Sequence, residues 1–320
     1  MKWQSKAALQ QIFSHLPRGA ELNYLCSKYV TKTLPQNPEI TRLDYSFAAE
    51  YLKWFRTLGT VPIEDARFYE FGAGWNLTIP LSLFSLGVNY QFVTDLRRLL
   101  RAELASHSSN ALTVMKLTPS PSRRPPVLSA SLPSDELDET LHTLCGIRYG
   151  APFDARATGM PDDSIDYITA TKVLGFIPSN VLIAIFNECA RVLRPGGLIG
   201  VLVDYRDNYA YIDPKISVYN FLRYSDRIWK AVYSPSLFYQ NRLRHSDYHK
   251  LFAAAGFEIL VEQPGYDGSI QEAREQLAQI RLANLFKRYE IDDLAAVRAV
   301  FILRKPRDTR TLNFSHDFPN

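Results

Sequence analysis

Cysteine is scarce in this sequence: among 320 residues there are three, Cys26, Cys145 and Cys189. They are far apart and form no Cys-x-x-Cys pair, which excludes a disulfide framework and a thiolate zinc site. Long apolar runs are also missing, since no stretch of about 18 apolar residues could form a transmembrane helix. Residues 1–23 lack the apolar segment of a secretion signal. We therefore expect buried thiols in a soluble, cytoplasmic protein that does not bind membranes.

A large excess of charge of one sign is absent as well. Lysine and arginine total 37 and aspartate and glutamate total 33, which gives a net charge of +4. This imbalance is too weak to indicate a polyanionic partner, so we expect no nucleic-acid binding. No cluster of aspartate and histidine has a spacing suited to metal ligation, so we also expect no metal site.

Short apolar runs alternate with helical patterns from residue 66 onward, which is typical of a parallel sheet with crossover helices. Strands are predicted at 67–71, 90–94, 147–149, 165–169, 198–203, 257–262 and 296–303. Helices are predicted between them at 77–86, 96–106, 180–193, 247–255 and 271–287. The pattern predicts an α/β, Rossmann-like sheet of seven mostly parallel strands with helices on both faces.

Three segments interrupt or precede this pattern. Residues 1–60 form an N-terminal helical extension or lid, with helical apolar spacing at 6–16 and 45–58. Residues 117–134 contain five prolines and form an irregular loop within the core. Residues 204–246 follow strand five and are rich in tyrosine, which predicts an inserted aromatic cap. The core would then comprise residues 61–203 and 247–320.

The first predicted strand ends in a glycine-containing turn that suits a nucleotide-type ligand. Gly72 and Gly74 allow the backbone to turn sharply and a ligand to approach closely. Leu77 replaces the third glycine of the dinucleotide motif, and no Gly-Lys-Ser/Thr follows, so neither NAD nor ATP is favoured. Glu70 disfavours a pyrophosphate and favours a ligand with a cationic end.

The chain resembles class I S-adenosylmethionine-dependent methyltransferases in four ordered motifs. These are Glu70-Phe71-Gly72-Ala73-Gly74, Asp95 at the end of strand two, the run from Phe153 to Pro178, and Glu188-Cys-Ala-Arg-Val-Leu-Arg-Pro-Gly-Gly before strand five. The resemblance implies S-adenosylmethionine as cofactor and S-adenosylhomocysteine as product. It implies that Asp95 takes both ribose hydroxyls and that Asp154 accepts from the adenine amino group. The full implied cofactor set is Glu70, Gly72, Gly74, Trp75, Asn76, Asp95, Leu96, Asp154, Ala155 and Thr171.

Two positions depart from the family pattern. Asn76 stands where a third small residue is usual, and it can cap the following helix through its side chain. Gly175-Phe176 stands where many small-molecule members have Glu-His, so a histidine base is missing there. Asp204 and Tyr205 follow strand five at the expected ligand-binding edge, and His245 lies in a polar turn further on. These three residues are the catalytic candidates.

The sequence favours methyl transfer to an oxygen or nitrogen atom of a small-molecule acceptor under an aromatic lid. A closed lid aligns the acceptor with the methyl group and excludes water. The enzymatic alternative is a nucleic-acid or protein methyltransferase, and the non-enzymatic alternative is a scaffold that binds the cofactor without turnover. The sequence leaves the acceptor and the oligomeric state open, a homodimer included.

Overall fold

The computed structural model of the protein describes residues 2–307 and contains one seven-stranded sheet. Its strands are β1 (Arg67–Phe71), β2 (Tyr90–Thr94), β3 (Ile147–Gly150), β4 (Ile165–Thr171), β5 (Leu193–Asp204), β6 (Glu258–Gly265) and β7 (Arg298–Arg304). Their order is β3-β2-β1-β4-β5-β7-β6, with β1 to β5 parallel and β7 antiparallel to both neighbours. The predicted Rossmann-like, mostly parallel sheet is confirmed. Its strand order reverses between β1 and β4, where sheets of this kind bind ligands at their carboxyl ends.

Helices cover both faces of the sheet. They are α1 (Trp3–Ser14), α2 (Gly19–Leu25), α3 (Pro38–Leu58), α4 (Thr78–Ser85), α5 (Ala102–Val114), α6 (Ser134–Cys145), α7 (Ser179–Val192), α8 (Asp226–Ile228), α9 (His245–Ala254), α10 (Ile270–Ala278) and α11 (Ile291–Ala295). Side chains of β5 alternate between two apolar clusters. Leu198 and Leu202 pack with α3 and α4, whereas Ile199 and Val201 pack with α7 and α9.

Several helices differ from the predicted ones in where they begin or end. The helix predicted at 45–58 starts at Pro38, because Asn37 Oδ1 accepts from the Glu39 amide at 2.9 Å and proline suits the first helical position. The helix predicted at 96–106 is α5 and starts at Ala102. The helix predicted at 271–287 ends at Ala278. Helix α6 was not predicted, and α2 lies in the predicted helical extension, where no separate bounds were given for it.

The tyrosine-rich segment after β5 packs against the N-terminal helix. Trp3 of α1 lies 5.4 Å from the Tyr209 ring and 4.8 Å from the Tyr233 ring, measured between centroids. The Trp3 amide also donates to Asp213 Oδ2 at 3.1 Å. A third apolar cluster, which includes Tyr219 and the fully buried Phe286, surrounds these contacts. The extension and the cap thus share one apolar core.

The division into a core, an N-terminal extension and a cap stays a prediction. The last part of the predicted second core segment, residues 308–320, lies outside the described residues. No helix within residues 2–307 is long and apolar enough to cross a membrane.

Candidate active site at the carboxyl edge of the sheet

The glycine turn after β1 has one packed and one open position. Gly72 and Gly74 have φ angles of 78° and 69°, which side-chain-bearing residues rarely adopt. A Cβ on Gly72 would lie 2.2 Å from Cγ2 of Val173, in the loop after β4. A Cβ on Gly74 would meet no atom within 4 Å. The turn therefore needs Gly72 for packing and leaves free space beside Gly74.

Asp95 is tied directly to this turn. It follows β2, and its Oδ2 accepts from the Gly74 amide at 3.0 Å while Oδ1 accepts from the Arg97 amide at 3.1 Å. Burial raises the pKa of Asp95, and the two amide hydrogen bonds oppose that rise. The turn after β1 and the carboxylate after β2 form one continuous polar edge.

Glu70 lies in β1 beneath the turn and is buried. Its Oε2 accepts from Thr169 Oγ1 of β4 at 2.7 Å. Burial raises the pKa of Glu70 to about 8, the Thr169 hydrogen bond lowers it, and the charge of Asp44 raises it again. The carboxyl group is therefore mostly protonated at neutral pH, and a nearby cation would favour its ionised form.

The N-terminal extension lies against the glycine turn. The Trp75 ring stacks on Tyr24 of α2, with centroids 5.4 Å apart and planes 18° from parallel. Asn76 Oδ1 accepts at 3.3 Å from the amide of Thr78, the first residue of α4, while its Nδ2 donates to Gln36 Oε1. The predicted site residues Trp75 and Asn76 are thus held by side chains that come from before β1.

The carboxyl end of β4 is held by α3. Thr171 Oγ1 lies 3.2 Å from the Tyr51 hydroxyl. The next residue, Lys172, has a φ of 58° and pairs with Asp44 of α3. Sequence reasoning missed Lys172 as a site residue, although a lysine directly after a predicted strand could have indicated it. Asp44 gave no comparable signal, because it lies in a helix 128 residues before Lys172.

Three further predicted cofactor residues lie after β2 and β3, and two of them, Asp154 and Ala155, were predicted to flank the adenine. Asp154 is partly exposed, and its carboxylate is paired with Arg156 at 2.7 Å between Oδ2 and Nη2. Hydrogen bonds from Arg156 lower the pKa of Asp154. Ala155 packs against an apolar cluster, and Leu96 is 64% exposed. An adenine amino group would compete with Arg156 for Asp154.

The three catalytic candidates have different partners. Asp204 ends β5 and accepts from Arg206 Nε at 3.0 Å, from Arg206 Nη2 at 2.9 Å, and from the Tyr211 hydroxyl of the cap. Tyr205 is buried, and its hydroxyl lies 2.9 Å from Nδ1 of His245. Among residues 2–307, no hydrogen bond joins Asp204 to Tyr205 or His245. Asp204 is therefore a cap contact, whereas Tyr205 and His245 form a separate pair.

Comparison with known proteins adds a family match. Residues 138–201, which run from α6 into β5, match the family model described as a methyltransferase domain. No curated protein matches the chain. The family match covers 64 of the 320 residues, and it shows that the segment from α6 into β5 is similar to a methyltransferase domain.

The solved structures to which the chain is similar include three methyltransferases. A methyltransferase from Methanosarcina mazei is 15% identical, with 78% of this chain and 100% of that chain covered and a TM-score of 0.44. Geranyl diphosphate methyltransferase in complex with S-adenosylmethionine is 12% identical, with 81% of this chain and 85% of that chain covered and a TM-score of 0.46. The CurJ carbon methyltransferase is 14% identical, with 93% of this chain and 67% of that chain covered and a TM-score of 0.44.

Proposed function

We propose that the protein methylates an oxygen or nitrogen atom of a small-molecule acceptor in a roofed pocket at the carboxyl edge of the sheet. One observation carries this proposal: two segments outside the predicted core contact the residues that end the strands. The N-terminal extension contacts Trp75, Asn76 and Lys172, and Tyr211 of the cap donates to Asp204, the residue at which β5 ends and the cap begins. A roof of this kind favours a small acceptor over a long polymer.

The cofactor would occupy the free space beside Gly74. The open side of this glycine gives room for a ligand, and the buried Glu70 carboxyl group offers a partner for an ammonium. Asp95 would accept from the ribose hydroxyls, in exchange for its hydrogen bond with the Gly74 amide. When bound, S-adenosylmethionine supplies a methyl group activated by a sulfonium.

The remaining predicted cofactor contacts fall into two groups. Leu96, Asp154 and Ala155 would border the adenine, and Trp75, Asn76 and Thr171 would border the rest of the cofactor. Arg156 holds Asp154 in a bidentate pair, so adenine binding would release or share this arginine. These assignments rest on the position of each residue, which for Thr171 is the last residue of β4 and for the others is a loop after β1, β2 or β3.

Asp204 is the proposed acceptor-side group. It lies at the end of β5 beside Gly175, whose Cβ position would be 3.5 Å from the Asp204 carbonyl oxygen. An amine acceptor needs only to lose a proton, whereas a hydroxyl acceptor needs a base close to it. The Asp204 carboxylate is the group that would hold this proton or orient the acceptor. Arg206 and Tyr211 fix its position and join it to the cap.

A transfer assay with labelled S-adenosylmethionine tests this function. The acceptors are a panel of amines, phenols and carboxylic acids, compared with DNA, RNA and unfolded peptides. We expect transfer to a small molecule with a KM that is insensitive to salt, whereas nucleic-acid affinity falls by about 10³- to 10⁵-fold between 50 and 200 mM salt. Transfer to a macromolecule alone would overturn the proposal. Cofactor binding without transfer to any acceptor would favour a scaffold instead.

A further inference from the structure

A cluster of three possible metal ligands lies on the sheet face covered by α9. His245 and His249 are four residues apart, so their side chains share one face of this helix. Glu262 comes from β6, and one ligand atom from each of the three residues lies within 4.8 Å of the others. His249 Nε2 is 3.0 Å from Glu262 Oε1, and His245 Nε2 contacts the same oxygen. Both rings thus direct their Nε2 atoms at one point.

The sheet and its neighbours fix the positions of the two rings. Phe301 of β7 pairs with Glu262 across the antiparallel ladder and is fully buried. The His245 ring stacks on Phe301 with centroids 5.1 Å apart, and the His249 ring meets it edge-on at 5.7 Å. Directly opposed residues of a ladder point to the same face, so Phe301 forms a rigid floor beneath the cluster.

A further partner orients the first histidine. The Tyr205 hydroxyl lies 2.9 Å from Nδ1 of His245, on the opposite side of the ring from Glu262. A metal-bound histidine usually makes such a contact through its other nitrogen, because the contact fixes the tautomer and the ring orientation. With the proton on Nδ1, the Nε2 lone pair of His245 is free to bind a cation.

We propose that His245, His249 and Glu262 bind a divalent transition metal, with Zn²⁺ as the best-suited ion. Two imidazole nitrogens and one carboxylate oxygen form a donor set that zinc accepts in proteins. Zinc–ligand distances of about 2.0–2.1 Å place tetrahedral ligand atoms roughly 3.3 Å apart, which small side-chain movements would achieve here. His249 and Glu262 are 38% and 34% exposed, which leaves room for water as a fourth ligand.

The metal would fasten the chain where it returns from the cap to the core. It would join the first turn of α9 to β6 and, through Tyr205, to the end of β5. The neighbouring Arg244 already donates to the Tyr205 and Ala296 carbonyl oxygens at the same junction. This inference makes His245 a metal ligand rather than a base at the acceptor, and it does not depend on the proposed function.

Zinc titration of chelator-treated, metal-free protein tests the site. We expect one Zn²⁺ per chain and a higher unfolding temperature with zinc than without it. His249→Ala and Glu262→Gln each remove one ligand and should weaken zinc binding by about 100-fold or more. Loss of a residue that contacts only a metal ligand typically weakens metal binding by roughly 10- to 100-fold, so the loss of a ligand itself should exceed that range. His142→Gln changes an exposed histidine of α6 and should bind zinc as the wild type does.

Cobalt serves as a second probe, because four-coordinate Co²⁺ absorbs visible light. The wild type and His142→Gln should give this absorption, and His249→Ala should not. Circular dichroism checks that each variant is folded. The proposal would be overturned if folded, metal-free wild type bound no zinc. It would also be overturned if His249→Ala and Glu262→Gln bound zinc with the affinity of the wild type.

Discussion

Replacing Glu70 with glutamine tests whether a buried, protonated carboxyl group lies beneath the glycine turn. Its pKa is raised from 4.5 to about 8, chiefly by burial. Between these two values the folded protein keeps a proton that the unfolded chain releases. The free energy of unfolding should therefore fall as pH rises through this window, by about 1.4 kcal/mol per pH unit. From about pH 5.5 to 7.5 this amounts to roughly 3 kcal/mol.

Glu70→Gln should remove this component of the pH dependence. Glutamine stays neutral in both states and keeps an oxygen that can accept from Thr169 Oγ1, as Glu70 does at 2.7 Å. Urea unfolding at several pH values measures the effect, with Glu139→Gln, an exposed change in α6, as the matched control. The stability of Glu70→Gln relative to wild type should increase with pH, whereas that of Glu139→Gln should not. Parallel pH profiles for all three proteins would refute the reasoning.

Cofactor binding extends the same test to the site. If Glu70 faces the ammonium of the bound cofactor, binding favours the ionised carboxylate and releases a proton. The affinity of the wild type for S-adenosylhomocysteine should then rise with pH up to about 8, the pKa of Glu70 in the folded protein. Glu70→Gln should bind more weakly and lack this dependence. An affinity that changes with pH equally in both proteins would place the ammonium elsewhere.

Three further predictions concern the turn, the acceptor side and the lid. Gly74→Ala and Gly256→Ala both place a side chain at positive φ in open space, at about 1–2 kcal/mol of backbone strain each. In a calorimetric titration only Gly74→Ala should weaken S-adenosylmethionine binding, by tenfold or more. Equal affinities would contradict the placement of the cofactor. Asp204→Asn should lower kcat by about 100-fold or more in the transfer assay while sparing cofactor affinity, and an unchanged kcat would remove Asp204 from the mechanism. Tyr24→Leu removes the aromatic stack on Trp75 and should speed the release of S-adenosylhomocysteine by about 3- to 10-fold in stopped-flow measurements. An unchanged release rate would argue against a lid at this position.

The strands that carry the site could be predicted from local pattern. The ends of β1 and β2 coincide with the predicted ends, because Gly72 and Asp95 mark the points where the chain leaves the sheet. The segment after Asp95 was predicted wrongly as helix. Its apolar spacing is helical, but the Asp95 carboxylate accepts from the Arg97 amide, and this turn delays α5 until Ala102. A side-chain hydrogen bond of this kind competes with helix formation and leaves no periodic signal.

The contacts above the site could not be predicted from the sequence. Tyr24, Gln36 and Asp44 precede β1 and meet the site only after the chain folds back across the sheet. The histidine cluster has the same origin. His245 and His249 have recognisable helical spacing, but Glu262 joins them only because β6 lies beside β7. Sequence reasoning expected no metal site, since the third ligand comes from a different element.

Calorimetric titration with S-adenosylmethionine, S-adenosylhomocysteine and NAD tests the central claim most directly. The proteins are the wild type, Asp95→Ala, and Asp135→Ala as an exposed control in α6. We expect both adenosyl compounds to bind the wild type and Asp135→Ala, and NAD to bind neither. Asp95→Ala should bind more weakly by about 1.5–3 kcal/mol, or roughly 10- to 150-fold, because it lacks a charged hydrogen-bond acceptor for the ribose. Failure of folded, ligand-free wild type to bind either adenosyl compound would contradict the account.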